Sequence, residues 1–236
     1  MPIVLIHGAT CSAATWNRLV PLLEGEVLAV DLPGRGTRAD TDLHEVTLND
    51  CAKAVAQDIT HSGFTDITLV AHSFGGVVTP QVMSLVPDRI RQVVLLSAVV
   101  PPDGTTVADH IDVEVKEALA SSMAGGIYTF GPEAARALLC SDADEEQAAE
   151  VQRHLVDDAA ALLAEPVDLT GYQLPVPRTY IRLSQDRCYS PELQAASAQR
   201  INARVITLSA GHMPMVTKPH QVADILNGLT APRALG

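Results

Sequence analysis

Six short runs constrain the fold of this chain more than anything else in it: "PIVLI" (2–6), "VLAVD" (27–31), "ITLVA" (67–71), "QVVLLS" (92–97), "TYIRL" (179–183) and "RVITL" (204–208). Each is rich in β-branched residues and apolar on both faces. A strand of that kind must be covered on both sides, as in a parallel sheet between two layers of helices. Amphipathic segments near 13–23, 47–61, 75–86, 191–200 and 217–228 supply those layers. The alternation predicts an α/β fold, a doubly wound and mostly parallel sheet of about six strands with right-handed crossovers. With 47% apolar and 19% charged residues among 236, the chain can bury one large core.

One interval breaks the rhythm. From Pro101 to Pro177 no strand is expected. "VADHIDVEVKEALASSM", "GPEAARALLC" and "DEEQAAEVQRHLVDDAAALLAE" have helical spacing, between "PPDG" and "LPVP". The interval is far longer than a simple crossover needs. It predicts a helical cap inserted after the fourth strand: 1–100 and 178–236 form the core, and 101–177 the cap.

Charge and cysteine usage narrow the function classes. A formal net charge of -12 repels phosphate backbones, so nucleic acid is not an expected partner. No run approaches eighteen unbroken apolar residues, so no membrane span is expected. The opening "MPIVLIHG" has no basic n-region. Cys11, Cys51, Cys140 and Cys188 are scattered and form no CxxC pair. The expectation is a cytoplasmic protein with reduced thiols and neither metal nor organic cofactor.

The third run leads into "LVAHSFGG" (69–76), which puts Ser73 on a tight strand-to-helix corner with Ala71 and Gly75 two positions either side. Bulky neighbours at those positions would collide in so sharp a turn. The helix that follows points its positive end at the hydroxyl. A serine is a weak nucleophile until a base takes its proton, and the base needs a carboxylate to orient it. In a sheet of this class both come from loops after later strands. "YIRLSQDRCYSPE" offers Asp186 and "RVITLSAGHMPM" offers His212. Asp103, in "SAVVPPDG", is a rival acid; its position before Gly104 also suits a plain turn. His7, His44, His61, His72, His110, His154 and His220 lack the chain position for the base. The side chain of His72 is expected to point away from Ser73. Two backbone N–H groups should hold a developing oxyanion, those of Phe74 and of Ala9 in the loop after the first strand.

"IVLIHGATCSAATWNRLVPLLE", "VLAVDLPGRGTR", "LVAHSFGG", "YIRLSQDRCYSPELQ" and "SAGHMPMVTKPHQVADIL" together resemble an α/β-hydrolase, and more narrowly the group that holds plant methylesterases and hydroxynitrile lyases. The resemblance runs from residue 3 to about 226 and is weakest in the cap. It implies the order Ser73, Asp186, His212 for the catalytic residues and Ala9 and Phe74 for the oxyanion donors. It also separates two chemistries. The lyases carry a threonine where this chain has Gly8, and a lysine where it has Met213. "HGA" with "GHM" falls on the esterase side.

The resulting expectation is a serine hydrolase that cleaves a small hydrophobic carboxylic ester. Its pocket would lie between sheet and cap, with Trp16, Met123, Tyr128, Phe130, Met213 and Met215 as candidates for the wall. Three alternatives stay open. A lyase or lactone-cleaving enzyme would share the fold. A receptor could keep the same three residues without turnover. A dinucleotide-binding reductase is suggested by "IVLIHGAT" with Asp31 closing the second run, but positions 11–14 hold none of the further glycines a phosphate loop uses.

Overall fold

The computed structural model describes residues 1–231. The chain runs β1 (Ile3–Ile6), β2 (Val27–Val30), α1 (Leu48–Ser62), β3 (Ile67–His72), α2 (Gly75–Leu85) and β4 (Ile90–Leu96). The inserted segment contributes α3 (Val113–Ser122), β5 (Ile127–Tyr128), α4 (Glu145–His154) and β6 (Asp158–Ala159). The core resumes with β7 (Arg178–Leu183), α5 (Pro191–Arg200), β8 (Arg204–Leu208) and α6 (Pro219–Thr230). Six strands form one parallel sheet in the order β2-β1-β3-β4-β7-β8. This is the doubly wound α/β sheet expected from the six apolar runs.

The chain leaves β1 toward β2 on one side and returns to β3 on the other. At such a reversal the following loops diverge and open a crevice at the carboxyl ends of the strands. The loop carrying Ala9 and the corner carrying Ser73 border that crevice. The strands that frame it are wholly buried, β1 and β3 along their full lengths.

Local chemistry explains the helix that covers them. Thr47 and Asp50 form a reciprocal cap at the start of α1, and Gly63, at φ 74°, ends it. Its buried residues Leu48, Cys51, Ala52, Val55 and Ile59 follow helical spacing and face the core. Each large aliphatic side chain buried there contributes about 1.5–3 kcal/mol. At the start of α2 the backbone is pressed against the loop after β4. A Cβ on Gly76 would meet the Val99 carbonyl oxygen at 2.5 Å, so only glycine fits.

Three segments differ from the sequence expectation. Residues 13–23 form two 3-10 turns, Ala13–Trp16 and Val20–Leu22, because Pro21 withholds an N–H and Asp31 Oδ1 takes the Ala13 N–H. The helical pattern of 107–123 breaks at Asp112, whose carboxylate accepts from Ser190 N and Ser190 Oγ, both at 2.8 Å. The cap also holds a strand pair where none was expected: β5 and β6 run antiparallel, with Tyr128 opposite Asp158. Two-residue strands are too short to leave a period-two signal.

Candidate active site

The corner at Ser73 is as sharp as its neighbours imply. Ser73 has φ 51°, a left-handed conformation that costs a non-glycine residue about 1–3 kcal/mol. The surroundings hold it there. Ser73 N donates to Leu96 O at 3.2 Å, and Ser73 O accepts from Gly76 N and Val99 N at 3.1 Å each. The result is a hydroxyl presented at the carboxyl edge of the sheet.

His212 and Asp186 reach it from the loops after β8 and β7. His212 Nε2 lies 3.1 Å from Ser73 Oγ, and His212 Nδ1 lies 2.8 Å from Asp186 Oδ2. A carboxylate only accepts, so Nδ1 carries a proton and Nε2 offers its lone pair to the serine O–H. Asp186 is itself held firmly. Ser97 Oγ donates to Oδ2 at 2.7 Å, while Cys188 N and Tyr189 N donate to Oδ1 at 2.8 and 2.9 Å. Burial works to raise the Asp186 pKa, but His212 and these hydrogen bonds prevail, and the carboxyl lies below its usual range. For His212, burial alone would lower the pKa. The Asp186 carboxylate overrides it, and the imidazole lies well above its ordinary value.

The cavity beside Ser73 is apolar. Ala9, Phe74, Tyr128, Phe130 and Met213 border it, with Val107, Ile111, Val115 and Leu119 of the cap above. No lysine or arginine lines it. Its volume is about 30 Å³, room for roughly two waters. Among the expected wall residues, Trp16, Met123 and Met215 lie elsewhere. Trp16 is buried, edge-on to the His72 ring at 6.3 Å. Met123 is 44% exposed, because α3 ends at Ser122 and the chain leaves the stripe of Val115 and Leu119. Met215 turns into the core. Asp103, the rival acid, accepts from Leu169 N at 2.8 Å on an exposed loop.

The match to known proteins extends along nearly the whole chain: residues 3–225 match the alpha/beta hydrolase family. The chain belongs to this family. Among alpha/beta hydrolases it is similar to Methylesterase 2 of Arabidopsis thaliana, at 29% identity over an alignment of 252 positions, gaps included, that covers 94% of this chain and 93% of the relative. It is also similar to the lipase LipV of Mycobacterium tuberculosis, at 27% identity over an alignment of 265 positions, gaps included, that covers 98% of this chain and 94% of that one. Among solved structures, an extracellular alpha/beta-hydrolase from a Paenibacillus species superposes with a TM-score of 0.86 at 26% identity. The match covers 99% of this chain and all of that one, and that protein is described as sharing structural and functional homology with tobacco Salicylic Acid Binding Protein 2.

Several residues of this alpha/beta hydrolase site escape sequence reasoning. His72 was expected to point away from Ser73. Instead it borders the cavity, and its Nε2–H donates to His212 O at 2.9 Å. The alternation of side chains along β3 ends at Ser73, whose positive φ turns the chain. Burial pushes the His72 pKa down to about 3, so it is a neutral prop. His7, pushed down to about 4 by burial, also stays neutral and bridges Gly8 O and Leu32 N. Tyr189 places its hydroxyl 3.2 Å from Ser73 Oγ and packs edge-on against His212. The serine proton is directed at His212, so the phenol donates. Asp31 accepts from Ala13 N and from Thr37 N and Oγ1, which leaves it no role as a ribose partner. Among the described residues, no group of three His, Cys, Asp or Glu could hold a metal ion, and no helix is long and apolar enough to cross a membrane.

Proposed function

We propose that this alpha/beta hydrolase is a serine esterase that cleaves a small hydrophobic carboxylic ester through an acyl-enzyme. The observation that carries this reading is the continuous chain from Ser73 Oγ through His212 to Asp186 at an apolar cavity. Ser73 attacks the ester carbonyl carbon while His212 Nε2 takes its proton. The tetrahedral oxyanion rests on the N–H groups of Ala9 and Phe74, both beside Ser73. Asp186 stabilises the imidazolium. His212 then returns the proton to the departing alkoxide, and a water attacks the acyl-enzyme by the same route in reverse. The likeness to a plant methylesterase supports an ester as substrate. Four buried free cysteines suit a reducing compartment, in line with a cytoplasmic location.

Two features favour hydrolysis over cyanohydrin cleavage. A departing cyanide needs a cation near the base, and the lining supplies none. A threonine in place of Gly8 has no room, since even a Cβ there would lie 2.9 Å from Ser73 Cβ and 3.1 Å from His72 Nδ1. The test is a panel of small aryl and methyl esters, with mass spectrometry after exposure to a fluorophosphonate. Turnover with stoichiometric adduct at Ser73 is expected. Binding without turnover would make the protein a receptor. Cyanide release from mandelonitrile at rates comparable to ester hydrolysis would place it among the lyases.

A further inference from the structure

Outside the Ser73–His212–Asp186 chain, two charged side chains are almost wholly shut off from water. Arg35, on the loop after β2, and Asp158, in β6 of the cap, have side chains 0% and 1% exposed. They pair through Arg35 Nη2 and Asp158 Oδ1. A buried ion pair is a weak source of stability, because both charges leave water. This one is also incompletely satisfied: Arg35 Nε and the Thr10 hydroxyl find no partner among the described residues. Stability alone is a poor reason for it.

What the pair grips is a better one. Asp158 Oδ2 accepts from Thr10 N at 2.8 Å, and Val156 N donates to Thr10 O at 2.9 Å. Both backbone polar groups of Thr10 are therefore tied to the inserted segment. Thr10 has φ 55°, a conformation a threonine keeps only when its surroundings impose it. It directly follows Ala9, whose N–H is assigned above to the oxyanion. Arg35 Nη1 donates to Pro33 O at 2.7 Å and so fixes the neighbouring loop. The loops after β1 and β2 and the cap strand thus converge on one carboxylate.

We infer that Asp158, steadied by Arg35, is a positioning residue for the oxyanion hole, and that it makes the hole depend on the cap. With the cap seated, the carboxylate locks Thr10 and aims the Ala9 N–H at the ester oxygen. Val107, Ile111, Val115 and Leu119 of the cap roof the cavity over Ser73, so substrate enters as the cap lifts. Lifting breaks the Asp158–Thr10 bond and releases the donor. Reseating over bound substrate restores it, which couples substrate enclosure to competence for attack. This inference rests on the serine-esterase reading.

The test removes both charges together. Replacing Arg35→Met and Asp158→Leu in one protein strands no buried charge, yet leaves Thr10 N–H without its acceptor. The expected result is a Tm within about 5 °C of wild type and a KM within about threefold. The kcat should fall about a hundredfold, as when an oxyanion donor is lost. The rate of fluorophosphonate labelling at Ser73 should fall by the same factor. A folded double variant with wild-type kcat, or with a loss confined to KM, would overturn the proposal. Hydrogen exchange on the wild-type protein gives an answer even if that variant does not fold. The Thr10 and Val156 amides should exchange with the same protection, through one opening. A Thr10 amide exchanging more than about tenfold faster than that of Val156 would also overturn it. Absence of turnover and of Ser73 labelling in the wild type would instead sink the esterase reading, and the exchange experiment would still decide the clamp.

Discussion

Replacing Asp186 by asparagine should disable the base without touching it. The two oxygens of Asp186 have different duties. Oδ1 accepts from two backbone donors, Cys188 N and Tyr189 N, while Oδ2 faces His212 Nδ1 and the Ser97 hydroxyl. An asparagine has one oxygen to offer. The two fixed N–H groups claim it, since an amide NH₂ placed there would oppose two donors that cannot move. The NH₂ then faces His212 Nδ1, which must accept rather than donate. The imidazole proton moves to Nε2 and points at Ser73 Oγ, where it blocks proton removal. A switch of tautomer at such a histidine lowers kcat by about four decades, about 5 kcal/mol of transition-state stabilisation. The pH profile should change as well. In the wild type, Asp186 holds the His212 pKa well above 6.5, so kcat/KM should rise through a limb above that value and be lost below it. Without the carboxylate the largest raising influence is gone, and burial, which lowers the pKa, is opposed only by Cys188, so the limb should move to lower pH. Stopped-flow hydrolysis of an activated aryl ester between pH 5 and 9 measures both quantities. More than a tenth of wild-type kcat, or an acid limb that stays in place, would refute this account of Asp186.

Other substitutions test neighbouring parts of the site. Ser73→Ala should lower kcat by about six decades and leave the thermal melt near wild type, because alanine meets the same φ as serine; turnover above a tenth of wild type would remove Ser73 from the mechanism. Asp103→Asn should leave kcat unchanged and stability within about 0.5 kcal/mol, since asparagine can still accept from Leu169 N on that exposed loop; a large fall in kcat would make Asp103 the acid. Gly8→Ala should lower kcat about 10–100-fold, because its Cβ would lie 2.9 Å from Ser73 Cβ and the nucleophile must shift; an unchanged kcat and labelling rate would show that the loop yields freely.

The fold was legible because its signals are local and repeated. Runs apolar on both faces, such as "IVLI" and "ITLVA", can be satisfied only inside a covered sheet, and all six became strands of one. The helix announced by spacing at 47–61 formed where capping groups also support it, α1 between Thr47 and Gly63. Expectation failed where a long-range partner overrode the local pattern. Asp112 left a helical stretch to hold Ser190, and Asp31 drew Ala13 out of one. The strands β5 and β6 exist through their pairing, which no window along the chain contains.

The same division runs through the site. Ser73 was visible because its corner needs small neighbours at fixed offsets, and His212 and Asp186 because a parallel sheet delivers loop residues to one edge. The residues around them had no such offsets. His72 props His212 across 140 positions, Ser97 braces Asp186 across 89, and Asp158 grips Thr10 across 148. A buried polar side chain is kept by the group that satisfies it. When that group lies on another loop, composition and periodicity carry no trace of it. Trp16, Met123 and Met215 make the converse point. Their residue types suit a pocket wall, but type does not specify direction. Met123 leaves the pocket because α3 ends one residue before it, whereas Val115 and Leu119, one turn apart on that helix, stay over Ser73. What a sequence of this kind reveals is therefore the chemistry set by chain order. The shape of the pocket and the alignment of its donors depend on contacts between loops, and in this protein those contacts pass through the cap.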